Sequence, residues 1–80
     1  MSERRISPRI PTRRAARIDI KGKDPIEGLV RDLSSSGARL EVPDVREVAN
    51  NFTLTIVGSW NRQACRVAWR KGNMVGVEYV

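Results

Sequence analysis

The sequence predicts an all-β domain: six short antiparallel strands closing into a small barrel, with no long helix. Three observations carry this. Apolar and polar residues alternate with period two in segment after segment, the pattern of half-buried strands. Glycine, proline, asparagine and aspartate fall between those segments, where tight turns are needed. No stretch sustains a helical period over more than one turn. Eighty residues give one small domain. Closure into a barrel is the economical way for so short a chain to hide its strand edges.

Each strand can be read in order. Ala16, Ile18 and Ile20 alternate with Arg17 and Asp19, so the first strand is expected over 15–20. Lys21 to Pro25 is a polar turn. Ile26 to Leu33 is a second strand with a less regular pattern. Asp32-Leu33-Ser34-Ser35-Ser36-Gly37 crowds a carboxylate, three hydroxyls and a glycine into one bend. Serine and aspartate bond readily to nearby backbone, so the bend should be tight and pre-shaped. Gly37 is expected to take a positive φ there. Ala38, Leu40 and Val42 form a third strand that Pro43 ends. Residues 44–51 read as a loop with at most one helical turn. Phe52, Leu54 and Ile56 mark a fourth strand. Gly58-Ser59 reads as a two-residue hairpin with glycine in first place, leading to a long fifth strand over 60–70. That strand should face Cys65, Val67 and Trp69 inward, with Trp60 beside the turn and open to solvent. Lys71-Gly72-Asn73 turns into the last strand, with Val75, Val77 and Tyr79 inward.

Charge divides the chain. Residues 1–23 hold eight of the fifteen Lys/Arg and two of the nine Asp/Glu, whereas residues 24–80 hold seven of each. The whole net charge of +6 therefore sits on the N-terminal segment. Residues 1–14 are expected to be a flexible basic arm on a neutral barrel formed by 15–80. Pro8 and Pro11 forbid a regular helix in it, and its low apolar content leaves little to bury. A basic arm seeks an anion. Its basic residues are all arginine, whose planar fork binds phosphate or a guanine edge through two bonds.

Several functions are disfavoured. One cysteine allows no internal disulfide, and without histidine it cannot make a zinc site. No histidine activates Cys65 or the serines, and Asp19, Glu27, Asp32, Glu41 and Glu78 are scattered over separate elements. No catalytic residue, metal site or cofactor is expected. No apolar run approaches a membrane span of about 20 residues, and no signal core precedes the basic segment, so the expected location is the cytoplasm.

Two motifs remain. Arg5-Ile6-Ser7-Pro8-Arg9 is an Arg-x-x-x-Arg, and Asp32 to Gly37 is an Asp-x-Ser-x-x-Gly. Arg13 and Arg17 also satisfy the first pattern, so it is the ordered pair of motifs that is specific. With Pro11 ahead of the first strand, and Cys65 to Arg70 leading to Gly76-Val77-Glu78-Tyr79, the chain resembles the PilZ domain family of bacterial cyclic di-GMP receptors over nearly its whole length. The resemblance implies a six-stranded barrel, usually with a C-terminal helix. This chain stops at Val80 without one, as a minimal or trimmed form would. It implies that Arg5 and Arg9 clamp cyclic di-GMP from one side and Asp32, Ser34 and Gly37 from the other. Arg4 adds a contact, and the residue at that position influences whether one ligand or an intercalated pair binds; arginine there favours the pair. A downstream protein partner is implied, with no DNA and no membrane insertion. Two rival readings are a basic barrel for single-stranded nucleic acid and a PilZ barrel that binds only proteins. The first calls for exposed aromatics, which are scarce here; the second is disfavoured because both motifs are intact.

Overall fold

The computed structural model describes residues 10–59 and 61–80, with side chains from Thr12 onward. Six strands run β1 (Ile10–Asp19), β2 (Ile26–Leu33), β3 (Gly37–Glu41), β4 (Asn51–Ile56), β5 (Arg62–Lys71) and β6 (Met74–Tyr79). They close into an antiparallel barrel in the order β1-β2-β3-β6-β5-β4. Two three-stranded meanders, β1-β2-β3 and β4-β5-β6, are thus zipped together by the non-local pairs β3–β6 and β1–β4.

The core follows the alternation. Ala16, Ile18, Val30, Leu40, Leu54, Cys65, Val75 and Val77 are buried, and Leu33, Ile56, Val67 and Tyr79 pack against them. Within 42–50 one 3-10 turn, Val45–Glu47, is capped by the Asp44 carboxylate, which accepts from the Arg46 N–H at 2.9 Å. Among the described residues no helix is long and apolar enough to cross a membrane.

Four expectations are corrected. β1 begins at Ile10, so residues 10–14 belong to the barrel wall and not to the arm. Pro11 is tolerated because the pairing of β1 with β4 covers only Ala16–Asp19, which leaves Pro11 on a stretch paired to β2 alone. The hairpin at Gly58-Ser59 is not a two-residue turn. Ser59 N–H donates to Ile56 O at 2.9 Å, which puts Gly58 third in its turn with φ +90°, and β5 starts only at Arg62. Gly37 is not among the positive-φ glycines, which are Gly22, Gly58 and Gly72. A Cβ at Gly37 would instead collide with the Val77 carbonyl oxygen, so glycine is needed there for close approach of β6.

Trp69 is the fourth. It lies outside the core, 42% exposed. The β5–β6 register shifts between Val67 and Trp69, with Val67 opposite Val77 but Trp69 opposite Gly76. One extra residue reverses the facing of everything beyond it. The indole lies across Gly76, where a Cβ would strike its Cε2 and Nε1.

Candidate functional site

The Ser34–Gly37 turn is built largely from its own groups. Ser34 N–H donates to Gly37 O at 2.9 Å, closing the hairpin between β2 and β3. The Ser34 hydroxyl oxygen accepts from the N–H groups of Ser36 and Gly37, each at 3.2 Å. From the other side Tyr79 N–H donates to Ser36 O at 2.9 Å, so β6 holds the turn in place. Ser34 is therefore first a turn-former, as expected of a hydroxyl that competes for local backbone.

Asp32 stands in β2, just before the turn. The β2–β3 register shifts between Val30 and Asp32, so Val30 faces Leu40 in the core while Asp32 faces the outward Arg39. This bulge explains the irregular pattern of the second strand. It also turns Leu33, and not Asp32, toward the core. Asp32 is only 4% exposed, and its Oδ2 is paired with Arg39 Nη2 at 2.8 Å. The Arg39 side chain is 48% exposed.

The two bulges act together. Arg39 is opposite Asp32 on one side and Gly76 on the other, and Gly76 is opposite Trp69. An outward row Asp32–Arg39–Gly76–Trp69 thus crosses four adjacent strands beside the turn. Ser34, Ser36, Gly37, Trp69 and Glu78 border a shallow hollow of about 240 Å³ there. Arg39 and Trp69 were not singled out by the motifs. Their place depends on bulges, and the one legible hint was the uneven pattern of β2.

Asp32 ends up on β2 beside Arg39, while Ser34 and Gly37 form the turn that follows and border the hollow. Arg4, Arg5 and Arg9 lie outside the described residues. The register nevertheless fixes where their segment joins the barrel: Ile10 is opposite Leu33 and Pro11 is opposite Asp32. Cys65 is buried in the core, with its thiol pushed up to about 11 by burial, as befits an inert packing residue.

With this geometry in hand, the family assignment follows from sequence: the PilZ domain model matches residues 3–80. The chain belongs to the PilZ domain family. PilZ domains are binding and effector modules, generally receptors for cyclic di-GMP and generally not enzymes. The barrel is similar in fold to the crystal structure of the PilZ domain of CeSA from a cellulose-synthesizing bacterium. The two share 18% identity with a TM-score of 0.72, over 92% of this chain and 81% of that one. No curated protein matches the sequence significantly.

Proposed function

We propose that this PilZ domain is a cyclic di-GMP receptor whose arginine arm and Asp32–Gly37 turn hold the same ligand. The observation that carries the reading is the β1–β2 register. Arg9 lies some twenty residues from Asp32 in sequence, yet the residue after it, Ile10, is the partner of Leu33, and Pro11 that of Asp32. The start of β1, which the first motif directly precedes in sequence, therefore lies beside the second motif. The ligand's two phosphates and two guanines suit arginine forks, which pair with phosphate oxygens and with guanine O6 and N7. Asp32 accepts from guanine N–H groups, and Ser34 and Gly37 shape the floor beneath. Arg4 adds positive charge for a second, intercalated dinucleotide.

The arm provides the switch. The arm's three arginines, Arg4, Arg5 and Arg9, repel one another until an anion neutralises them. Ligand binding orders the arm against the barrel and changes the surface offered to a downstream protein.

Isothermal calorimetry with cyclic di-GMP tests the reading. Saturable binding in the micromolar range or tighter supports it; no heat at millimolar ligand overturns it. Steep salt dependence with an oligonucleotide and no response to cyclic di-GMP would move the assignment to single-stranded nucleic acid. Amide relaxation of Arg5–Arg9 by NMR tests the switch separately, since ordering on ligand addition is required.

A further inference from the structure

We infer that Ile6 is a plug: when the arm closes on cyclic di-GMP, its side chain seats in the apolar mouth at the open end of the barrel. The inference rests on the receptor reading above and deepens it, since it says what holds the arm once its charge is neutralised.

A hollow of about 250 Å³ opens at the end of the barrel where β2 and β6 stop. Its apolar walls are Leu33, Leu54, Ile56 and Tyr79, and the rest of its lining is polar, Ser34 and Gln63 included. Leu33, Ile56 and Tyr79 pack against the core yet are only partly buried. The barrel's opposite end is covered by the chain itself, with Val48 buried and Val45 and Ala49 packed on the core. Apolar walls offer nothing to the phosphates of a dinucleotide. They suit an aliphatic side chain, whose arrival removes apolar surface from water on both sides.

The position and composition of the arm select the occupant. Residues 1–9 lie outside the described residues, but Ile10 is paired with Leu33, one of the walls, so the arm leaves from the edge of the mouth. Neighbouring strands are about 5 Å apart, and four residues extend to about 14 Å, so Ile6 reaches the mouth from Ile10. Met1 and Ile6 are the only large apolar residues among residues 1–9, and Met1 is five residues further out. Ser34 borders both this mouth and the hollow beside the Ser34–Gly37 turn. An arm that carries Arg5 and Arg9 to a ligand at that turn therefore passes the mouth. The ligand's phosphates remove the repulsion that keeps the arm away. Because Ile6 lies between Arg5 and Arg9, seating it restricts where both forks point and lowers the ordering cost of each contact.

The test is calorimetry of wild type, Ile6→Ser, Ile6→Leu and Ser7→Ala with cyclic di-GMP. All three changes precede β1, so the barrel's own contacts are kept. Ile6→Ser leaves the arm's charge intact and should lower affinity about tenfold or more. Ile6→Leu keeps the apolar volume and should retain most of the affinity, and Ser7→Ala should match wild type. Wild-type affinity in Ile6→Ser overturns the inference alone. Wild type that binds no cyclic di-GMP overturns the receptor reading and the inference with it. NMR with a labelled Ile6 methyl supplies the location: with saturating ligand, Overhauser contacts to the Tyr79 ring and the Leu33 methyls are expected. A methyl that keeps its free-peptide shift in the saturated complex overturns the seat. The same contacts before ligand is added would make the seat permanent and overturn its link to binding. Contacts seen only between differently labelled copies would put a second copy's Ile6 in the mouth and overturn the plug within one chain.

Discussion

The barrel's two ends are closed in different ways. At the end where β3 stops and β4 starts, residues 42–50 form a fixed lid. Val48 is buried, Val45 and Ala49 pack on the core, and Arg70 donates to Val45 O at 3.1 Å, to Val48 O, and to Asn50 Oδ1 at 3.2 Å. The opposite end carries the Ser34–Gly37 turn and the entry of β1. There Leu33, Ile56 and Tyr79 are only partly buried around a hollow of about 250 Å³. One end spends its guanidinium on its own carbonyls; the other leaves Arg39 half exposed. Mutations should therefore separate, with stability lost at the lid and ligand affinity lost at the open end.

Gly37 is where that separation should fail, and it gives the largest effect. It belongs to the ligand motif, yet its lack of a Cβ is required by the Val77 backbone. Backbone cannot step aside as a side chain can, so Gly37→Ala should destabilise the domain by about 3 kcal/mol, measured by urea denaturation. That is a large share of the stability of a small domain. A neutral result would mean that β6 yields easily, and would return Gly37 to the role of giving the ligand room.

Arg70→Ala is next and tests the lid. It removes charge-assisted bonds to two backbone carbonyls and should cost about 2 kcal/mol. Cyclic di-GMP affinity of the folded protein should not change. Loss of affinity without loss of stability would show that the two ends communicate.

The arm separates motif from charge. Arg9→Ala should weaken cyclic di-GMP binding about tenfold or more, as loss of a forked contact does. Arg13→Ala, the same charge change on exposed β1, should cost much less. Equal losses would mean that the open end senses only net charge. Calorimetry at two salt concentrations reads both.

The sequence made the strand pattern plain wherever the register is unbroken. Ile18, Leu40, Leu54 and Val75 were legible as core because each sits in clean alternation, and all are buried. The same rule misplaced Trp69, because an extra residue near Ala68 reverses the facing and leaves no mark in composition. The Asp32–Gly37 turn was legible from its hydroxyls, since serine's competition for local backbone is a short-range property. Arg39 was not, because its meeting with Asp32 depends on a bulge in β2 and on pairing between strands. Long-range register, and not local preference, decided what the site's outer wall contains.

The smallest expected effect concerns the core beneath the open end. Cys65 and Tyr79 are directly opposite across β5 and β6, and burial raises both of their proton affinities. The Cys65 thiol moves from 9.0 to about 11. Between those values the unfolded chain gives up its thiol proton before the folded one does. The unfolded state then binds fewer protons, so stability must fall as pH rises from about 9 to about 11. Tyr79 adds to the same alkaline loss. Cys65→Ala should therefore flatten the decline in unfolding free energy between pH 8 and pH 11 without abolishing it, because Tyr79 still titrates. A variant with the full wild-type slope would place the proton release elsewhere and remove the thiol from the account of the open end.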